Sequence, residues 1–145
     1  MSKTKLKLSL EREIIKTLKN PVLRNALKYL VLDLITEQYD HDKLIKLAKK
    51  EGLSSRLGYL AETTAIALEM DNLPESKKLY SLSKALYENF TDWQYIKPNM
   101  PDFAKRIFKS SPQPALNKKW KIWGIISSEE TYEWIKLHKF IGAIP

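Results

Sequence analysis

Three lysines spaced for one helical face, Lys43, Lys46 and Lys50, are the residues of this chain best suited to a chemical task, and that task is contact with phosphate. On the helix read from His41 to Glu51 they lie opposite Leu44, Leu47 and Ala48, and Arg56 follows within a turn of the next helix. A second group, Lys118, Lys119 and Lys121, is interleaved with Trp120 and Trp123. Basic and aromatic residues in alternation make stacking platforms in single-strand binders, although a strand with two tryptophans also reads as core. No recognition-helix pattern accompanies either group, so base readout is not indicated. The net charge of +8 favours a polyanionic or acidic partner. A Lys-, Glu- and Ile-rich surface of thermophile type accounts for part of the same excess.

The remaining inventory argues against catalysis. His41 and His138 are the only histidines, and neither stands in a metal spacing such as H-E-x-x-H. Cysteine is absent, which removes disulfides, thiolate nucleophiles and Cys-based zinc sites together. There is no G-x-S-x-G, P-loop or G-x-G-x-x-G, and glycines at 52, 58, 124 and 142 alone hardly build a phosphate-cradling loop. Glu11, Glu13, Asp33, Glu62 and Glu69 have no spacing that brings two carboxylates together. The expectation is a protein that is not an enzyme and holds no cofactor or metal. No apolar run approaches the roughly 20 residues that span a bilayer. Met1 to Lys5 leads into alternation rather than an apolar signal core, so the expected location is the cytoplasm, away from membranes.

The elements that must position these residues are mostly helical. Thr4 to Leu10 alternates as a strand would, and Glu11 to Leu18 switches to helical spacing. Asn20-Pro21 punctuates, and Leu23 to Ile35 carries apolar residues at i, i+3, i+4. Asp40 or Asp42 caps the next helix, which ends at Gly52. Ser54 or Ser55 restarts a helix through Leu68, and Asp71 to Pro74 breaks it before a helix with Leu79, Leu82 and Leu86. Prolines then frame a short helix over Asp102 to Lys109 and a loop over Ser110 to Asn117. Residues 119–126 read as a strand, and Ser127 with Glu130 as the capping box of a last helix. The fold class that follows is mainly α (α+β). A single domain spans 1–145, with a helical bundle over 10–89 and a loop-rich C-terminal part over 90–145. The two terminal strand-like segments are expected to form a small antiparallel pair.

Gly58 interrupts the helix after Ser55-Arg56-Leu57 at a helix-interior cost of about 1 kcal/mol relative to Ala, which marks close packing. The expected neighbour is the helix containing Leu30 and Leu34. This stretch, Arg56-Leu57-Gly58-Tyr59-Leu60 with Glu62, resembles an R-L-G-Y-L-x-E box in the C-terminal domain of AbiEi-type antitoxins and related regulators. Ser9-Leu10-Glu11-Arg12-Glu13-Ile14-Ile15 is similar to the S-P-E-R-T-hydrophobic segment that opens that domain, and residues 117–126 to its closing tryptophan-bearing strand. The resemblance is best over residues 9–71. It implies a regulatory module of a type IV toxin–antitoxin system, and a phosphate-contacting face of Lys43, Lys46, Lys50 and Arg56 would add weak association with duplex DNA of little sequence preference. The alternative is a protein-interaction domain for a nucleotidyltransferase-like toxin or another protein partner. Family members carry a winged helix-turn-helix ahead of this domain. Here the S-x-E-R segment begins at Ser9, so the expectation is a stand-alone or excised domain, or one that works with a separate DNA-binding partner.

Overall fold

Apolar stripes of helical period, separated by tight left-handed breaks, set the architecture. A computed structural model describes residues 9–19, 26–36, 38–96, 113–123 and 128–142. Five helices come first: α1 (Leu10–Lys19), α2 (Ala26–Thr36), α3 (His41–Lys50), α4 (Ser54–Glu69) and α5 (Glu75–Leu86). They are followed by β1 (Gln94–Tyr95), α6 (Pro114–Trp120), β2 (Ile122–Trp123) and α7 (Ser128–Gly142). The protein is mainly helical, and the described residues include one small two-stranded sheet. Among the described residues no helix is long and apolar enough to cross a membrane.

Local chemistry explains the joints. Asp40 caps α3, its side chain accepting from the Lys43 amide at 3.1 Å. Gly52 ends the same helix with φ +70°. The Gly52 amide donates to the Lys49 carbonyl, and that of Leu53 to Ala48, the bond pair of a Schellman motif. Asn72, at φ +53°, repeats the arrangement after α4: its amide bonds Glu69, and that of Leu73 bonds Leu68. Two left-handed residues thus turn α3 into α4 and α4 into α5 with almost no loop.

Helix α4 is the axis of the fold. Twelve of its sixteen residues are buried, so it has neighbours on nearly every side. It packs chiefly on α5 and then on α7. One apolar cluster runs from Ile14 and Leu18 through Leu34, Leu44, Leu60, Leu79 and Leu86 to Trp120 and Ile122, so the sheet shares the helices' interior.

The sheet differs from the expected antiparallel pair of terminal segments. β1 and β2 run parallel, with Gln94 opposite Ile122 and Tyr95 opposite Trp123. In the segment read as strand, Leu10 opens α1 and Ser9 just before it is in no strand; residues 4–8 lie outside the described residues, as do Asn20-Pro21, the helix over 102–109 and Ser127. Of the strand read over 119–126, Lys119 and Trp120 are helical, Ile122–Trp123 is strand and 124–126 lie outside the described residues; the loop read up to Asn117 is helical from Pro114. The reason is local. Pro114 in the first turn starts α6, and Asn117 and Trp120, three apart, both bury. Lys121, at φ +55°, then ends the helix and frees two residues to pair. At α4 the cap is Leu53 rather than Ser54 or Ser55, and both serines are buried inside the helix.

Candidate nucleic-acid interface

The stripe of α3 turns outward as its spacing requires. Lys43, Lys46 and Lys50 are exposed, whereas Leu44 and Ala48 are buried. What the sequence reading missed is the opposite bank. α1 lies alongside α3 and brings Arg12, Lys16 and Lys19, themselves at i, i+4, i+7, to face it. Between the helices runs a groove of about 250 Å³, lined by these three residues and by Ile15, Leu47 and Glu51. The signal was present, since Arg12, Lys16 and Lys19 lie opposite the buried Ile14, Ile15 and Leu18. Only tertiary packing makes them one surface with α3.

Acidic groups at the groove are already occupied. Lys19 Nζ stands 3.0 Å from Glu51, whose carboxyl that hydrogen bond holds below its ordinary pKa. Glu11 is buried and accepts the Asp40 backbone N–H at 2.7 Å. That bond, more than the Lys43 ammonium at 3.6 Å, lowers its pKa. Among the described residues Arg12, Lys16 and Lys46 stand in no ion pair, and Lys50 stands in none but adds its charge to the lowering of the Glu51 pKa. The groove therefore presents an excess of cations over an apolar floor.

The C-terminal group divides. Trp120 is fully buried and its Nε1 donates to Glu62 at 2.8 Å, so it is core. Lys119 pairs with the same carboxylate at 2.9 Å and lies over the Tyr87 and Trp120 rings. Lys118 is exposed, and Lys121 holds its ammonium 5.6 Å from the centre of the Trp93 ring. Arg56 is brought to this side rather than to the α3 stripe. Its Nε donates to the Tyr95 carbonyl at 3.0 Å, and burial lowers its pKa. It ties α4 to β1.

The box around Gly58 is a seat for α6. A Cβ on Gly58 would fall within the Trp120 ring, so the close approach is made by α6 and not by the helix of Leu30 and Leu34. The next residue is Tyr59, whose hydroxyl accepts from Gln113 Nε2 at 3.0 Å. Gln113 also donates to Thr63 and, through Oε1, accepts both the backbone N–H and the hydroxyl of Ser128. The N–H of Ser128 fixes which end of the amide faces it. Asn117 Nδ2 donates to the Ile122 carbonyl at 2.6 Å. The polar members of the box thus hold the C-terminal elements onto α4. No protein family, curated protein or solved structure matches the chain.

His41 has a structural place at the head of α3. It stacks on Tyr39 with centroids 5.1 Å apart, and Lys78 covers the Tyr39 ring at 4.3 Å. Burial and then Lys78 lower its pKa, against a weaker pull upward from Asp42 and Asp40. The fold therefore prefers the neutral ring. Its contribution is fully present above the ordinary value of about 6.5 and is lost as pH falls below that through the lowered one. Thermal midpoints are expected to fall between pH 7 and pH 5, and His41→Phe, which keeps the stack, to flatten that fall. Glu11, whose ordinary range lies lower, contributes its own loss only in more acid solution. Equal slopes for parent and variant would remove His41 from the account.

Proposed function

We propose that this protein is a non-catalytic module that associates with nucleic acid through the groove between α1 and α3. The observation that carries the reading is Arg12 and Lys16 in the groove lining, in no ion pair among the described residues, with Lys46 and Lys50 exposed on the neighbouring α3. Cations on rigid helices meet phosphates with little ordering cost, and counterion release supplies affinity without sequence information. Weak binding to duplex DNA with little sequence preference follows. The likeness to AbiEi-type antitoxins adds a regulatory context, and that context rests on the likeness alone.

Replacing Lys16, Lys46 and Lys50 together with Gln tests the reading. Each lost phosphate contact lowers the log–log salt slope by about 0.9, so the triple variant is expected to flatten it by roughly 2–3 units. Helical content should stay at the parent level, because all three side chains are exposed. An unchanged slope moves the contact elsewhere, and no binding at low salt ends the nucleic-acid reading.

A second reading has one observation in its favour. Leu32, Ile35, Leu68, Leu73 and Ile135 line an apolar cavity of about 210 Å³ between α2, the α4–α5 turn and α7. Such a recess suits an apolar anchor from a protein partner, as a nucleotidyltransferase-like toxin would need to supply. Ile135→Asp would then abolish partner binding while leaving the salt slope for DNA intact.

A further inference from the structure

Trp93 is 39% exposed, an unusual position for an indole in a soluble fold. It is not loose. Its ring stacks on Trp123 with centroids 5.1 Å apart and planes 24° from parallel, and Tyr95 packs on Trp123 at 4.9 Å. Two backbone bonds fix the pair from beneath. The Gln94 amide donates to the Lys121 carbonyl and the Ile96 amide to that of Trp123. The aromatic ledge is therefore preformed, and a ligand meeting it orders little.

Lys121 completes the ledge at a cost. It is the left-handed residue that ends α6, a position where glycine is the usual choice because a side chain there is disfavoured. A lysine there sets its ammonium beside the Trp93 ring, and the exposed Lys118 precedes it by one turn. Strain retained at a surface cation beside an exposed indole points to use.

We propose that Trp93, Trp123 and Lys121 form a stacking site for a base of a single-stranded nucleic acid, with Lys121 and Lys118 meeting its phosphates. The inference rests on the nucleic-acid reading for its ligand class, but uses a different set of residues. Every base has a face to stack, so the site is tolerant of sequence. The charge favours this occupant over a neutral sugar, because Lys121 stands at the Trp93 ring and Lys118 is exposed one turn before it, with Arg56 tied inward to the Tyr95 carbonyl.

The test uses the whole chain with oligothymidylate, a duplex of equal length and an uncharged oligosaccharide as probes, read by tryptophan emission and by titration. Oligothymidylate is expected to quench emission. Trp93→Ala should weaken its binding about ten-fold or more while leaving duplex binding at the parent level. Lys121→Gly should weaken oligothymidylate several-fold with thermal stability unchanged or raised, since glycine suits the left-handed residue. The Lys16, Lys46, Lys50 triple variant should lose duplex affinity and keep the quenching. The ledge inference is overturned, and the groove reading stands, if the parent binds only duplex or if Trp93→Ala binds oligothymidylate as the parent does. Quenching by the oligosaccharide as strong as by oligothymidylate overturns the ligand class. If the parent binds neither nucleic acid at low salt, both readings fall together.

Discussion

Gly58→Ala is expected to destabilise this protein by about 3 kcal/mol, although in an open helix the same change would gain about 1 kcal/mol. The sign reverses because the new methyl group would occupy the space of the Trp120 ring. Trp120 cannot step aside. Its Nε1 is committed to Glu62 and its faces are packed by Tyr87, edge-on at 5.5 Å, and by Phe90 at 5.7 Å. Relief requires α6 to lift from α4, which also strains the Lys119 ion pair with Glu62 and the Asn117 bond to the Tyr59 hydroxyl. Gly58→Leu should be worse. The decisive measurement is a double-mutant cycle by urea unfolding. Trp120→Ala alone should cost about 3–5 kcal/mol through the cavity it leaves. In that background Gly58→Ala should be close to neutral, giving a coupling of roughly 2–3 kcal/mol. Additive effects would show that Gly58 and Trp120 do not share one space.

The same pair shows what was legible in the sequence. That Gly58 marked a close approach could be read from its place between Leu57 and Tyr59 in a helical pattern. That the approaching group was Trp120 could not, because nothing local links α4 to a segment so far along the chain. Joints governed by neighbouring residues were readable. Asp40 caps α3, Gly52 ends it, and Leu79, Leu82 and Leu86 face inward as their spacing requires. The sheet was not readable. Trp120, Ile122 and Trp123 have strand-forming side chains, yet Pro114 and the left-handed Lys121 place Trp120 at the end of a helix. The parallel partner of β2 is a two-residue strand with no periodicity to detect. The site divides in the same way. The α3 lysines declared their face, whereas Arg56 has the type of a phosphate ligand and instead serves the Tyr95 carbonyl. Charge type sets what a residue can do, and only packing decides whether it is available.

Gln113→Leu should cost roughly 2–4 kcal/mol, and its effect should be uneven across the molecule. The Gln113 amide uses both donor directions, to the Tyr59 and Thr63 hydroxyls, and both acceptor directions, from the Ser128 amide and hydroxyl. Leucine of similar length fills the space but strands the Ser128 N–H at the start of α7 and two hydroxyls on α4. The hydroxyls can turn to other acceptors; the N–H cannot turn. Hydrogen exchange should therefore quicken most in α7 and α6, with α3, α4 and α5 closer to the parent. Gln113→Glu should lose less, because its carboxylate still accepts from Ser128 while Tyr59 and Thr63 reverse their O–H bonds to donate. The functional consequence separates the two proposed surfaces. α6 carries Lys118 and delivers Lys121 and Trp123 to the ledge, so Gln113→Leu should weaken oligothymidylate binding. The groove between α1 and α3 has no contact with Gln113 among its lining residues, and duplex binding should hold. A uniform rise in exchange, or equal loss of both affinities, would mean that α6 and the bundle unfold as one unit. Gln113 would then be a core residue like any other rather than the fastening of the C-terminal elements.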